Sequence, residues 1–245
     1  MALVAIAALN VAACSTTTPT VRGEGFVIND PFEATNRAVF AFNDGVDDMY
    51  IHPIVEGYRT AVPRPARTGI SNVLNNLKSP MIIINELLQG DMAGAKNAAV
   101  RLSVNTFVGV GGIFDVAASE GIPYESEDFG QTLAVWGVGN GPYVVLPFLG
   151  PSSLRDYSGY AVDTVVDPVG WYLSTHDKDS LRTIKFAAGY LQLRDSFKDA
   201  LVDLKATSFD YYAAVRSSYY QTRAVLIRDQ AIDVDSAPTI PDYDE

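Results

Sequence analysis

The chain has 245 residues, 48% of them apolar, which is material enough for a sizeable buried core. Its 29 acidic residues outnumber 18 basic ones, and a net charge of -11 excludes a nucleic-acid binder and docking on anionic lipid by charge alone. Any attachment to a membrane must therefore be apolar or covalent. Residues 1–13 (MALVAIAALNVAA) are uncharged and mostly apolar, and they end in small residues directly before Cys14, Ser15 and a polar run. The pattern predicts a secretory apolar region and a lipobox, Val11-Ala12-Ala13-Cys14, with acylation of the Cys14 thiol. Signals of this kind open with Lys or Arg, and none stands before Arg22, which leaves the start of translation open. The competing reading is an N-terminal apolar helix with a buried cysteine. A single cysteine excludes an internal disulfide, and Ser15 behind it, rather than Asp, favours sorting to an outer membrane.

A linker over residues 14–29 leads to a run of helix signals. DPFE (residues 30–33) offers Asp30 as N-cap, Pro31 at the first helical position and Glu33 in a capping-box arrangement, so a helix is predicted from Pro31. Val39, Phe42, Val46 and Tyr50 then recur at spacings of three and four, which predicts one buried stripe. SPMIIINELLQGD (79–91) repeats the device with Ser79 as cap, Pro80 at the first position and Gly90 as stop, and Asp91 can cap the next helix at once. That helix, MAGAKNAAVRLSVNTF, is expected to end before the turn GVGG at 109–112.

Residues 129–154, bracketed by Asp128 and Arg155, contain no charge at all. The run is long enough to cross a bilayer, but five glycines and three prolines forbid a spanning helix, at about 1 kcal/mol per glycine and about 3 per proline. Within it YVVL (143–146) is the best strand signal. Further on, Leu181, Ile184, Ala188, Leu191, Phe197, Leu201 and Leu204 fall on connected faces of a helix roughly 25 residues long. A final amphipathic helix follows over 207–228, and an acidic, proline-containing tail over 229–245 is expected to be disordered. No repeat is present, and the architecture is predicted to be mainly α in one domain.

Catalysis finds little support. GISNV at Gly69 and GPSSL at Gly150 both miss the GxSxG elbow. His52 and His176 are the only histidines, neither in a metal-ligand spacing. GVGNGP and GVGGIF follow no strand of a βαβ unit and read as tight turns, not phosphate loops. No enzyme activity, metal or cofactor is expected.

Six blocks carry a resemblance: DPFEATNRAVFAFND (30–44), PRPARTGISNVLNNLKSP (63–80), LLQGD (87–91), NTFVGVGGIFDVA (105–117), DFGQTLAVWGVGNGPYVVLPFLGPSSLRD (128–156) and YYQTR (219–223). In order and spacing they resemble the signatures of the MlaA (VacJ) family of outer-membrane lipoproteins, over residues 30–228. The resemblance implies a ring-like domain of amphipathic helices seated in the inner leaflet of the outer membrane beside trimeric porins. Phospholipids misplaced in the outer leaflet would pass through its amphipathic channel to a periplasmic lipid-binding carrier protein. Family-motif positions are then Asp30, Pro31, Glu33, Asn36 and Arg37. Candidates for the lipid path or a gate are Phe42, Gly139, Gly141, Pro142, Tyr143, Leu146, Pro147 and Phe148, with Arg155 and Asp156 near one rim. A packed loop under the last two helices is the alternative for that segment. Arg64, Arg67, Arg101 and Arg155 are candidate head-group contacts, because guanidinium matches phosphate in bidentate fashion; the alternative is that they cap helices or pair with Asp91, Asp115 and Asp156. A porin-associated scaffold that moves no lipid is the rival reading of the whole chain.

Overall fold

A computed structural model describes residues 29–228. The predicted signal peptide, Cys14, nearly all of the linker and the acidic tail lie outside the described residues. The elements in order are α1 (Glu33–Val46), a π-helical turn (Asp47–Ile51), α2 (His52–Ala61), α3 (Arg64–Gln89), α4 (Met92–Phe107), α5 (Val116–Ser119), α6 (Phe129–Val135), β1 (Tyr143–Leu146), β2 (Gly150–Ser153), α7 (Leu154–Val166), α8 (Pro168–Thr175), α9 (Asp179–Thr207) and α10 (Tyr211–Ile227). The protein is mainly α, as its sequence predicts.

Three local expectations are corrected. Helix α1 starts at Glu33, not at Pro31, and Asp30 does not cap it, for no side-chain bond closes its N-terminus. Tertiary partners win instead: the Asp30 carboxylate accepts from Asn36 Nδ2 at 2.8 Å, from the Tyr212 hydroxyl and from Arg216. Second, no helix begins at Pro80. Helix α3 runs through it for 26 residues, and Ser79 is buried, its hydroxyl donating back to the Asn75 carbonyl. A proline inside a helix removes a backbone bond, and close packing of α3 on α4 through Leu74, Ile82, Ala95 and Ala98 outweighs it. Third, the stripe expected on the first helix is buried only in part: Val39 and Val46 are half-buried, whereas Phe42 is exposed because the inward face of α1 is that of Asn36, and Tyr50 is exposed beyond the π turn that shifts the helical phase after Val46.

The α3–α4 corner follows the sequence reading. Gly90 ends α3 in the left-handed region at φ 85, where only glycine sits without strain, and Asp91 caps α4 by accepting from the backbone N–H groups of Ala93 and Gly94. A closer approach joins α6 to α7. A Cβ on Gly159 would lie 2.2 Å from the backbone nitrogen of Gly130, so the crossing exists only because position 159 has no side chain. β1 and β2 form one antiparallel hairpin, Tyr143 opposite Ser153 and Leu146 opposite Gly150. The buried cluster beneath it is aromatic: Tyr143, Val145, Tyr212 and Tyr220, flanked by Val39, Phe40 and Tyr219.

Polarity elsewhere is inverted. Among the described residues 35 large apolar side chains are exposed, 11 apolar residues are buried, and 14 buried residues are polar or charged. Helix α9 is the extreme case. Leu181, Ile184 and Phe197, expected on packed faces, are exposed, and the single buried residue in 29 is Lys198. Ion pairs hold α9: Arg194 to Asp47 (2.6 Å), Lys205 to Asp44 (2.8 Å), Lys185 to Asp167 (2.5 Å), Lys198 to Glu56, and Asp195 to Arg59 and Arg67. Partly exposed pairs are screened by salt, whereas apolar packing is not. Raising sodium chloride from about 0.05 to 1 M, across which the Debye length falls several-fold, should speed amide exchange in α9 and leave the α3–α4 corner unchanged. Equal responses of the two would refute an ionic attachment of α9.

Candidate functional site: a glycine- and proline-rich hairpin on a polar bed

The uncharged run that cannot be a helix becomes α6, a glycine-rich stretch and the β1–β2 hairpin. Its backbone groups find protein partners: Tyr143 N–H donates to the Asn29 carbonyl (2.9 Å), Leu154 N–H to Pro142 (3.1 Å) and Arg155 N–H to Asn140 (3.2 Å). The face toward α1 is supplied by two asparagines. Asn36 Nδ2 donates to the Tyr143 carbonyl (2.9 Å) and Oδ1 accepts from Val145 N–H (3.0 Å); Asn43 does the same for the Leu146 carbonyl (2.9 Å) and Phe148 N–H (2.9 Å). The Tyr157 hydroxyl bridges the strands, donating to the Gly150 carbonyl and accepting from Leu146 N–H.

Strand periodicity sorts the candidate residues. Tyr143 and Val145 point into the aromatic cluster, and Val144 and Leu146 are half-buried on the other face. Pro147, Phe148 and Leu149 form the exposed tip; Phe148 has φ 64, uncommon for a bulky residue, and meets Phe42 edge to face at 5.6 Å. Gly139 and Gly141 are exposed and Pro142 is half-buried. Phe42 and Phe148 thus meet at the turn of the hairpin, Gly139 and Gly141 lie before β1 at its open end, and Tyr143 belongs to its support.

That support is ionic. Arg37 forks onto Asp210 at 3.0 and 2.7 Å, donates its Nε to Glu33 at 2.8 Å, and lies 4.4 Å over the Tyr212 ring. Burial pushes the Asp30 carboxyl up, but hydrogen bonds from Tyr212, Arg216 and Asn36 outweigh it and leave the group below the ordinary carboxylate value. Burial raises the Tyr143 hydroxyl far above the phenol range and pushes that of Tyr220 up to about 12. Behind β2, Arg155 and Asp156 are both buried and paired at 2.8 Å, with Arg223 2.9 Å from the same carboxylate and Tyr219 donating to it.

Of the four arginines considered for head groups, Arg101 pairs with Asp115 (2.8 Å), Arg155 with Asp156, and Arg67 with Asp195 (2.9 Å). Arg64 is exposed at the start of α3, and Asp91 serves as a helix cap. Pro31 lies in the exposed turn before α1. Tyr212 and Arg216 of α10 escaped the sequence reading, and Tyr219 and Arg223 of the same helix entered it only as part of the block YYQTR, with no role assigned. Their recurrence at four- and seven-residue intervals was the available signal. His52 lies 3.9 Å from Glu56, and His176 stacks on Tyr172 at 4.1 Å. Among the described residues no group of three or more His, Cys, Asp or Glu is placed to hold a metal ion, and no helix is long and apolar enough to cross a membrane.

Comparison with known proteins agrees with these blocks. The family described as MlaA lipoprotein matches residues 28–226. The intermembrane phospholipid transport system lipoprotein MlaA of Escherichia coli (strain K12) is 38% identical over 199 residues, covering 79% of this chain and 76% of that protein. The protein of the same description from Haemophilus influenzae is 30% identical over 218 residues, covering 87% and 85%. A solved structure described as "Structural basis for maintenance of bacterial outer membrane lipid asymmetry" superposes with a TM-score of 0.70 at 35% identity, covering 81% of this chain and 98% of the other. The chain belongs to the MlaA lipoprotein family.

Proposed function

We propose that this chain is an outer-membrane lipoprotein, anchored through acylated Cys14 and seated in the inner leaflet, that withdraws mislocalised phospholipids from the outer leaflet. The lipid passes through an amphipathic channel, beside a trimeric porin, to a periplasmic lipid-binding carrier. The observation that carries this reading is the inverted polarity: 35 large apolar side chains face outward around a bed of buried charged and polar groups. Apolar exposure of this extent is unfavourable against water and suits acyl chains. Irregular backbone at membrane depth must be buried in protein or line a wet cavity, and the hairpin's satisfied backbone meets that requirement. Phe42 and Phe148 at its turn, and Gly139 and Gly141 at its open end, are its lipid contacts in this reading. The relatives named for phospholipid transport support the role in lipid asymmetry, and a transport-system family gives no reason to expect hydrolysis.

The test is the phospholipid content of the outer leaflet in cells lacking this chain with porins intact. It should rise, and expression of the full chain should restore it. An unchanged outer leaflet would replace transport by the porin-associated scaffold.

A further inference from the structure

One carboxylate of α9 occupies an unusual place. Asp195 sits between two guanidinium groups from different helices, Arg59 at the end of α2 and Arg67 at the start of α3. Arg59 Nε donates to Asp195 Oδ1 and its Nη2 to the Asp195 carbonyl at 2.7 Å, while Arg67 Nη1 reaches both carboxylate oxygens at 3.2 and 2.9 Å. The three side chains are largely enclosed, at 23, 17 and 16% exposure. Arg67 Nε is enclosed as well and has no acceptor. Two fixed positive charges thus converge on one carboxylate; Asp199, the nearby second one, holds only Arg59 Nη1 and is 78% exposed. Asp195 belongs to a helix held largely by ion pairs, in which Lys198 alone is buried.

We propose that Arg59 and Arg67 form a phosphate clamp for a phospholipid head group, and that Asp195 is its built-in competitor. This rests on the phospholipid reading above. A phosphodiester presents one negative charge over two unesterified oxygens, the same charge and planar fork geometry that Asp195 offers to the pair. It also brings additional lone pairs, one of which can satisfy Arg67 Nε. When the lipid phosphate takes the clamp, Asp195 is released and one anchor of α9 goes with it. Binding at the α2–α3 junction is thereby coupled to loosening of the ionic seam along α9.

The test uses the full chain in nonionic detergent, titrated calorimetrically with dihexanoylphosphatidylglycerol, and in parallel with inorganic phosphate and with dihexanoylglycerol, which has the same acyl chains without the phosphate. Asp195→Asn keeps the shape and removes the competing charge. It should tighten binding of the short-chain phospholipid at least about tenfold, the scale of one charge-assisted hydrogen bond, and leave dihexanoylglycerol unchanged. Adding Arg67→Gln should abolish the gain. If Asp195→Asn melts early, Arg67→Lys is read instead: loss of the fork should weaken lipid binding by a similar factor, and unchanged affinity overturns the clamp. A folded Asp195→Asn chain that binds the lipid no more tightly also overturns it, and if the wild-type chain still clears phospholipid from the outer leaflet, only the clamp falls. A gain confined to inorganic phosphate assigns the two arginines to a free anion and overturns the lipid assignment.

Discussion

Asp156→Ala is expected to be the most destabilising single change, by about 3–5 kcal/mol, the usual cost of removing one partner from a buried ionic group. Asp156 is 8% exposed at its side chain and gathers Arg155 Nε at 2.8 Å, Arg223 Nε at 2.9 Å and the Tyr219 hydroxyl. Arg155 is more enclosed still, at 4%, and has no other carboxylate, whereas Arg223 keeps Asp128 at 2.6 Å. Alanine therefore strands one buried guanidinium and half-strands another. Because the cost comes from the stranded charge, Asp156→Leu combined with Arg155→Met should recover a substantial part of it. The same geometry sets a pH dependence. Burial pushes the Asp156 carboxyl up, but the Arg223 charge and hydrogen bonds from Arg155 and Tyr219 prevail and hold it below the ordinary 3.8. A carboxylate lowered on folding contributes stability above its unfolded value, and that contribution is lost as pH falls from about 3.8 through the folded value. Urea unfolding in detergent, followed from pH 7 to 2.5, should show the wild type losing stability over the acid end and the alanine variant losing less. A loss under about 1 kcal/mol at neutral pH would mean that water reaches the pair.

What the sequence disclosed and what it hid divide along a physical line. Local chemistry was legible. Gly90 and Asp91 act within a few residues of themselves, and YVVL forms the strand its β-branched residues favour. Features with distant partners were not. Asp30 looks like an N-cap until Tyr212 and Arg216, more than 180 residues away, claim its carboxylate. Pro80 looks like a helix start because the packing that carries α3 through it lies on α4. The stripes of α1 and α9 hold in part, with Val39, Val46, Ala188, Leu191, Leu201 and Leu204 half-buried, and they fail at Phe42, Tyr50, Leu181, Ile184 and Phe197 for a deeper reason. Periodicity reports two faces of a helix but not which solvent each one meets, and turning apolar faces inward presupposes water outside. Leu181, Ile184 and Phe197 point away from the protein while Lys198 points in, which is the arrangement an apolar surrounding selects. At the site, the arginines were visible as residue types, but the carboxylates that hold Arg59 and Arg67 could not be read from spacing.

Asn36→Ala should rank next, because Asn36 and Asn43 together act as an edge for β1. Seven residues of helix rise about 10.5 Å, and three residues of strand advance about 10 Å. Two asparagines seven apart can therefore meet backbone groups three residues apart, and they do so: Asn36 takes Tyr143 and Val145, Asn43 takes Leu146 and Phe148. An amide is needed, since each site presents one carbonyl and one N–H, and only a side chain with a donor and an acceptor answers both. Asn36 is 2% exposed, so alanine leaves the Tyr143 carbonyl and the Val145 N–H buried and unpaired, at about 1–3 kcal/mol each. The total is about 2–6 kcal/mol before relaxation of the hairpin reduces it. Asn36→Asp should do no better: it keeps an acceptor for Val145 but sets a second carboxylate where Asp30 now lies 2.8 Å from the Asn36 amide. At Asn43, half-buried beside the exposed tip, water can replace the amide and alanine should cost about 1 kcal/mol. Hydrogen exchange separates the two, with Val145 N–H losing protection in the first variant and Phe148 N–H in the second. Equal destabilisation by the two alanines, or full protection of Val145 without Asn36, would show that the hairpin is held by its aromatic underside and not by this ladder.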